Sequence, residues 1–335
     1  MNRNDAVPQR TRQLRHLGDI RPRIGTFAIA PLSSAQVDAA LGVLKDQYGP
    51  DLSPDRLEPP GDADALRADL ARHASQLIEL ANEMRDALEG DYSALIVPSM
   101  GLAHLPLHMR SALLFALSVG LGTPTATDKV HRRVVWDVKM REDKISNNGV
   151  STFSEHSYEA ELHTDTQYFD HPERYMMLYV VAPANCGGGI SSIRALQCLR
   201  EELSATPEGR WAMDYLTDRD VPFRVPSVFT RDGGSDSIEV TFAPIFAQRP
   251  AIRYRFDTLQ KGLEAHPELD VEELRRALDI VNRVACNQER LVTRAMPADS
   301  LQLLNNHEAL HGRSSFTDRN RHVLRVRMAE AGVLS

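Results

Sequence analysis

The sequence predicts a mainly β protein with added α-helices, in which an N-terminal helical layer precedes a sandwich or jelly-roll body. Two observations lead to this expectation. Early in the chain apolar residues recur at helical spacing, whereas later segments are short runs rich in β-branched and aromatic residues. Helices first, and then strands with helical insertions, fit a sandwich or jelly roll better than a regular alternation of strand and helix.

The N-terminal third contains the expected helical layer. Residues 1–25 are polar and show no clear period, so we expect a flexible arm there. Ser33 to Tyr48 has a helical pattern, and the proline-containing residues 51–61 predict a loop. From Asp62 to Gly90 apolar residues recur every three or four positions, which predicts one long amphipathic helix capped by Asp62. A further helix is expected from Pro106 to about Gly120.

The rest of the chain is the expected β-rich body. We expect helices at about 195–205, 208–217 and 270–292 between its strands. No linker or internal repeat divides the chain, which predicts a single domain over 26–335, with residues 26–125 mostly helical and 126–335 forming the jelly-roll core. The predicted strands are Val134–Met140, Arg174–Ala182, Ile238–Ala247, Ser300–Leu304 and His322–Met328.

Composition excludes several classes of partner. The net charge is -7, and no basic patch interleaved with aromatic residues is present, so nucleic acid is not expected to bind. The longest apolar run, Ser111 to Gly122, is too short to cross a membrane, and no apolar stretch of a secretory signal follows the first arginines. Cys186, Cys198 and Cys286 are odd in number and lack metal-type spacing, which predicts reduced thiols in a cytoplasmic protein. A small molecule is the expected partner, and no oligomeric state is predicted.

His163 and Asp165 are the first candidate metal ligands. On a strand, a spacing of two places both side chains on one face, where an imidazole and a carboxylate can bind one ion. His311, which follows another strand-like run, offers a second imidazole. Two histidines and one carboxylate on one face of an octahedral metal leave positions open for substrate and O₂, as in non-haem Fe(II) oxygenases. A His-x-Asp triplet alone is weak evidence in a chain with 12 histidines and 46 acidic residues.

Four segments together carry a family resemblance. The sequence resembles the clavaminate synthase-like and taurine dioxygenase-like family of Fe(II)/2-oxoglutarate-dependent oxygenases over roughly residues 150–330. The segments are HTDTQYFDHPERYMMLY from His163, CGGGISS from Cys186, NHEALHGR from Asn306 and RHVLR from Arg321. They are similar to the family's proximal ligand segment, the glycine-rich turn after it, the distal-histidine segment and the arginine pair that follows.

The resemblance implies roles for particular residues. His163, Asp165 and His311 would bind iron, and Arg321 would pair with the distal carboxylate of 2-oxoglutarate, since a guanidinium can donate two parallel hydrogen bonds to a carboxylate. Arg325 would face the substrate or the cosubstrate. Ser191 stands where the family usually has a threonine that also contacts 2-oxoglutarate.

The resemblance also implies the reaction and, less directly, the substrate. 2-Oxoglutarate would be decarboxylated to succinate while an unactivated C–H bond is hydroxylated, and desaturation or cyclisation are alternatives within the same class. The carboxylate of Asp165 favours hydroxylation over halogenation, because halogenating members have a small residue at that position. The HGR segment, which contains Arg313, is closer to members that act on amino acids, so an amino acid or a derived metabolite is expected. Arg313 and Arg325 are candidate substrate contacts, as is Glu161, which would share the face of His163 on a continuous strand.

Residues His307 to His311 provide a competing motif. HEALH matches the HExxH pattern of zinc hydrolases, in which two histidines one helical turn apart bind zinc. Asn305 and Asn306 precede the motif, Gly312 follows it, and the flanking runs look like strands, so the required helix is not expected. His307 is then a bystander. A jelly roll that binds metal without turnover is the second alternative, in which Arg321 and Ser191 would be dispensable.

Overall fold

The computed structural model describes residues 12–127, 132–140, 156–226 and 239–332. Two β-sheets face each other, and helices cover the outer surface of both. The helices are α1 (Ser34–Tyr48), α2 (Ala63–His73), α3 (Ser75–Glu89), α4 (Leu107–Leu121), α5 (Leu196–Ser204), α6 (Pro207–Tyr215), α7 (Phe256–Ala265) and α8 (Glu272–Ala285), with short 3-10 turns at Pro54–Arg56 and Pro267–Leu269. The strands are β1 (Leu14–Arg21), β2 (Ile24–Ile29), β3 (Ala94–Val97), β4 (Thr123–Pro124), β5 (Trp136–Val138), β6 (Ala160–His163), β7 (Tyr175–Ala182), β8 (Ser191–Ala195), β9 (Asp220–Arg224), β10 (Val240–Pro244), β11 (Val292–Arg294), β12 (Leu301–Asn305), β13 (Ala309–Arg313) and β14 (His322–Ala329).

The strands form the two layers of a jelly roll. The large sheet has the order β1-β2-β3-β12-β7-β14-β4, with β5 also paired to β14, and the small sheet has the order β11-β8-β13-β6. Strands β9 and β10 form a separate pair. Neighbours in the large and small sheets are antiparallel apart from β2 and β3. The double-stranded β-helix with a helical layer and helical insertions, expected from the sequence, is confirmed.

Strand alternation separates the two faces of the large sheet. Along β14, Leu324, Val326 and Met328 pack in the core cluster shared with α1 to α4, whereas Val323 packs in the cluster between the sheets. Because successive side chains of a strand point to opposite faces, Arg325 has the same orientation as Val323 and points between the sheets. The large sheet thus has an apolar outer face and an inner face that carries charge.

The N-terminal helices pack closely on that outer face. A Cβ added at Gly120 of α4 would lie 2.5 Å from the Cβ of Ala81 in α3, so only glycine allows this approach of the two helices. On the other side of the molecule, α5 to α8 share a second apolar core with Leu162 of β6 and Leu310 of β13. Both histidine-bearing strands are therefore held by packing on their outer face. None of the helices in the described ranges has the length and apolarity that a membrane crossing requires.

Two expectations about the N-terminal third are wrong. Part of the expected arm, residues 14–25, instead contains β1 and the start of β2, which add two strands to the edge of the large sheet; residues 1–11 lie outside the described ranges. The expected single helix from Asp62 is two helices, separated at Ala74. Ala74 is completely buried, and alanine has the highest helix propensity, so tertiary packing and not local preference breaks the helix there. The capping role of Asp62 is confirmed, since its side chain accepts a hydrogen bond from the Ala65 N–H.

Candidate metal and cosubstrate site

His163 and His311 face each other across two strands of the small sheet. They are directly opposite in the antiparallel pair of β6 and β13, and their ring centroids are 4.2 Å apart. Directly opposite residues of an antiparallel pair project from the same face of the sheet. Both rings are buried and point towards the space between the sheets.

Asp165 completes a cluster of three potential metal ligands. Its Oδ1 lies 3.4 Å from the Nε2 of His163 and 3.8 Å from the Nε2 of His311. One ligand atom from each of the three residues lies within 4.8 Å of the others. Strand β6 ends at His163, so Asp165 is not on the strand as expected but in the turn that follows. The turn, and not strand alternation, brings the carboxylate to the histidines.

The protonation states of the cluster suit a cation. Burial, and then the neighbouring His163, lower the pKa of His311 to about 3, which keeps its imidazole neutral. Burial alone would raise the pKa of Asp165, but Arg325, with Nη1 3.4 Å from Oδ2, and the two histidines lower it well below its usual value. The buried Oδ2 accepts no hydrogen bond from the described residues. Neutral imidazole and ionised carboxylate are the forms in which histidine and aspartate bind a divalent metal, so two histidines with an ionised Asp165 fit an iron ion.

A cavity between the two sheets contains one buried cation, Arg321. The cavity is open to solvent on one side, and Ser191 and Gln302 line it together with Arg321. Nη1 of Arg321 is buried and has no hydrogen-bond partner among the described residues, and burial lowers the pKa of this guanidinium to about 10. The guanidinium also lies over the ring of Phe316, 5.0 Å from its centroid, but no carboxylate among the described residues pairs with it. A buried charge without an opposite charge is costly, so this arginine fits a ligand that brings its own carboxylate. Apolar contacts from Leu178, Val180, Met296 and Val323 complete the wall.

The glycine-rich turn makes room for Arg321. A Cβ added at Gly189 would lie 3.1 Å from the Nε of Arg321, and Gly189 has a φ of +70°. A Cβ at Gly188 would lie 2.2 Å from the carbonyl oxygen of Ser315. The turn therefore packs directly on the arginine and on the segment after β13, which explains why the CGGGISS segment needs glycine at these positions.

The other two predicted arginines have different surroundings. Arg325 lies beside Asp165 and is not part of the cavity wall that contains Arg321. Arg313 is buried, donates hydrogen bonds to the carbonyls of His156 and Tyr158, and stacks on Phe316 at 4.7 Å. Burial, and then the charge of Arg321, lower the pKa of Arg313 to about 9.

Glu161 does not follow the expected strand parity. The register between β13 and β6 shifts, so that Arg313 is opposite Ala160, and this irregularity adds one residue to β6 before His163. A bulge of this kind breaks the alternation of faces. The side chain of Glu161 is exposed. Burial, and then nearby negative charges that include Glu161, raise the pKa values of Tyr254 and Cys286. The expectation that Glu161 shares the metal-bearing face is therefore wrong.

His307 has no helix around it. It lies in the turn between β12 and β13, whereas His311 lies on β13 itself, so the two histidines of the HExxH pattern are not on one helical face. The Nε2–H of His307 donates to the carbonyl oxygen of Pro172, 2.9 Å away. The zinc hydrolase alternative is contradicted by this geometry, and His307 is a bystander as expected.

Arg255 and Asp257 are site residues that the sequence did not indicate. Arg255 forms an antiparallel bridge with His163 on the side away from His311, which directs its side chain to the same face as both rings. Its guanidinium donates to both oxygens of Asp257 at 2.8 and 3.2 Å. A cation and an anion thus lie next to the proposed metal position. Neither residue belongs to a segment that carries the family resemblance, so no sequence signal singled them out.

The chain matches the family model described as taurine catabolism dioxygenase TauD, TfdA family, over residues 56–327. None of the curated proteins matches it. Among solved structures, it is similar to an asparagine oxygenase in complex with Fe(II), (2S,3S)-3-hydroxyasparagine and succinate, with a TM-score of 0.65 and 16% identity over 92% of this chain and 94% of that one. It is also similar to the non-haem iron oxygenase OrfP in complex with iron and α-ketoglutaric acid, with a TM-score of 0.61 and 15% identity over 91% and 94% of the two chains.

The chain therefore belongs to the TauD/TfdA family of dioxygenases. It is a 2-oxoglutarate-dependent non-haem iron dioxygenase, a class that uses Fe(II), 2-oxoglutarate and O₂. The family, the fold class and the enzyme class expected from the sequence are confirmed.

Proposed function

We propose that this enzyme hydroxylates an unactivated C–H bond of an amino acid or of an amino-acid-derived small molecule. His163, Asp165 and His311 bind Fe(II), and Arg321 binds the distal carboxylate of 2-oxoglutarate. The single observation that supports this most strongly is the buried guanidinium of Arg321, whose Nη1 has no hydrogen-bond partner among the described residues, in a cavity between the sheet that carries both histidines and the large sheet.

Each residue then has a defined task. Iron and 2-oxoglutarate together supply the oxidant, one oxygen atom of O₂ entering the substrate and the other entering succinate as CO₂ leaves. His163, Asp165 and His311 would hold the iron with three ligand atoms, which would leave room for the cosubstrate and O₂ to bind it as well. Arg321 orients 2-oxoglutarate by its carboxylate, and the hydroxyl of Ser191, which lines the same cavity, adds a hydrogen bond.

The substrate class is inferred from the charges on the other side of His163. Arg255 and Asp257 offer a cation and an anion next to each other, the arrangement that a zwitterionic head group can engage through both of its charges. Arg325, beside Asp165, supplies a further cation for a substrate carboxylate. The similar solved structures support an amino acid, since one contains hydroxyasparagine and another, of OrfP, contains (3S)-hydroxy-L-Arg with succinate.

Compartment and domain organisation are part of the same proposal. The three cysteines of the chain lie in the described ranges and are all free thiols, which supports a cytoplasmic enzyme, where thiols remain reduced. We further propose that the chain from β1 to the end of β14 forms one oxygenase domain.

A product assay on an amino-acid panel tests the proposal. Enzyme reconstituted with Fe(II) without oxygen, then supplied with 2-oxoglutarate and O₂, should add one oxygen atom to at least one L-amino acid, as detected by mass spectrometry. Asp257→Asn should raise the KM for that substrate and leave the KM for 2-oxoglutarate unchanged. Substrate-independent succinate formation with no oxidised product across free and derivatised amino acids would overturn the substrate class.

A further inference from the structure

The turn that carries Asp165 has an unusual backbone. Thr166, the residue after Asp165, has a φ of +54° although its side chain is β-branched. Thr166 is buried, with 3% of its surface exposed. A β-branched residue in this left-handed region is strained, so surrounding contacts must stabilise it. Because Asp165 lies beyond the end of β6, its position depends on these contacts and not on the strand ladder.

Asn306 makes the contacts that a neighbouring strand would otherwise make. Its Oδ1 accepts a hydrogen bond from the N–H of Asp165 at 2.8 Å, and its Nδ2 donates to the carbonyl oxygen of Asp165 at 3.0 Å. The same Nδ2 donates to the carbonyl oxygen of Glu173 at 2.8 Å. Asn306 is 1% exposed, so these bonds are shielded from water. One amide therefore fixes both backbone groups of a proposed metal ligand.

Glu173 stabilises the same turn from the other side. Its Oε2 accepts a hydrogen bond from the hydroxyl of Thr166, and its Oε1 accepts one from the hydroxyl of Thr125 at 3.0 Å. The Nε of Arg327 lies 3.8 Å from Oε1, and Glu173 is 4% exposed. The buried carboxylate is thus balanced by a buried guanidinium, and it binds the side chain of the strained residue.

We propose that Asn306 and Glu173 are positioning residues that orient the carboxylate of Asp165 towards His163 and His311 before the metal binds. The inference rests on the proposed function, because it assumes that these three side chains bind iron. Neither residue touches the metal, and both act through the Asp165–Thr166 turn. Groups that orient metal ligands typically contribute about 10- to 100-fold to metal affinity, and that is the effect expected here.

Asn306→Ala, with Asn305→Ala as the matched control, tests the role of the amide. Asn305 is the adjacent, equally buried asparagine, and its Oδ1 accepts only from the N–H of His307 among the described hydrogen bonds. Binding of Fe(II) is measured anaerobically by calorimetry, and thermal unfolding of the apoprotein reports folding. Asn306→Ala should weaken Fe(II) binding about 10- to 100-fold, whereas Asn305→Ala should bind as the wild type does. Equal affinity of both variants and the wild type would overturn the proposal.

A pair of substitutions at Thr166 provides a test that does not depend on Asn306. Thr166→Val keeps the shape and the strained β-branch but removes the hydroxyl that binds Glu173, whereas Thr166→Gly removes both the hydroxyl and the strain. We expect Thr166→Val to bind Fe(II) more weakly than Thr166→Gly, although valine is the closer mimic in shape. If the side chain served only to fill space, glycine would be the worse substitution, and that order would contradict the positioning role.

The wild-type titration separates failure of this inference from failure of the proposed function. If wild-type protein and Asp165→Ala bind Fe(II) equally, the proposed iron site itself is wrong. If the wild type binds Fe(II) and Asp165→Ala does not, while both Asn306→Ala and Thr166→Val bind as the wild type does, only the positioning inference is wrong. The absorption band that forms when 2-oxoglutarate joins bound Fe(II) gives a second readout, which should shift in Asn306→Ala if the ligand geometry changes.

Discussion

The rings of His163 and His311 lie 4.2 Å apart because the two residues are directly opposite each other on antiparallel strands β6 and β13. Strands β6 and β13 are far apart in the sequence. Their register is set by the hydrogen bonds between them and by the apolar core behind them, which includes Leu162 and Leu310. The two imidazoles are thus rigidly placed, while Asp165 comes from a turn. The site combines two ligands fixed by a sheet with one fixed by side-chain contacts.

Asp165→Ala should lose Fe(II) binding and 2-oxoglutarate turnover, and His307→Ala should retain both. The first substitution removes a carboxylate ligand, and the second removes only a ring whose Nε2–H donates to Pro172. His307→Ala should cost about 1 kcal/mol of stability, the usual contribution of one hydrogen bond. Calorimetric Fe(II) titration and succinate assays on both variants check this. Loss of activity in His307→Ala without loss of folding would restore that histidine as a candidate ligand.

Arg321→Ala should raise the KM for 2-oxoglutarate by about 10- to 100-fold, which corresponds to the loss of a charge-assisted hydrogen bond. Arg321→Lys should lie between the alanine variant and the wild type, because an ammonium keeps the charge but not the planar fork. Fe(II) affinity should change in neither. Steady-state kinetics with varied 2-oxoglutarate measures the effect, and an unchanged KM in Arg321→Ala would exclude this arginine from the cosubstrate site.

Gly189→Ala and Gly187→Ala should separate backbone strain from contact with Arg321. Both glycines have positive φ, +70° and +80°, so each alanine should destabilise the fold by roughly 1–2 kcal/mol. Only the Cβ at Gly189 meets Arg321; nothing lies within 4 Å of a Cβ at Gly187. Gly189→Ala should therefore also raise the KM for 2-oxoglutarate. The same KM in both variants would show that the turn does not influence the arginine.

Two helical glycines should respond to alanine with opposite signs. Gly120→Ala places a methyl group 2.5 Å from Ala81 and should destabilise the protein by about 1–3 kcal/mol through overpacking. At Gly42 in α1 nothing lies within 4 Å of an added Cβ, so Gly42→Ala should stabilise by about 0.5–1 kcal/mol through helix propensity. Denaturant unfolding measures both. A Gly120→Ala variant with the same free energy of unfolding as the wild type would contradict the close approach of α3 and α4.

The sequence predicts that His163, Asp165 and His311 lie together, and the structure agrees, but the path of the chain through this cluster differs from the expected one. The sequence indicates His163 and His311 because metal-ligand spacing and the segment around the distal histidine are local patterns. Asp165 belongs to the cluster as expected, but strand alternation does not place it there, because the residue lies beyond the end of β6. The bulge that moves Glu161 off the expected face depends on the pairing of β6 with β13, which no local pattern encodes.

The parts of the fold that differ from the sequence-based expectation also depend on contacts between residues that are distant in the sequence. The segment Leu14–Arg21 is polar enough to resemble an arm, and it forms a strand because it pairs with Ile24–Ile29 at the edge of the large sheet. The interruption at Ala74 is set by packing against other helices. Arg255 reaches the site through its bridge to His163, a contact between residues 92 positions apart that no spacing rule predicts.

Succinate formation by iron-reconstituted protein tests the central claim most directly. Wild-type enzyme should release succinate from 2-oxoglutarate only when Fe(II) and O₂ are both present, and Asp165→Ala and Arg321→Ala should each reduce that release strongly at low 2-oxoglutarate. High 2-oxoglutarate should restore Arg321→Ala and not Asp165→Ala, because the first variant lacks a cosubstrate contact and the second lacks a metal ligand. Equal succinate formation by Asp165→Ala and the wild type would contradict the assignment of iron to His163, Asp165 and His311.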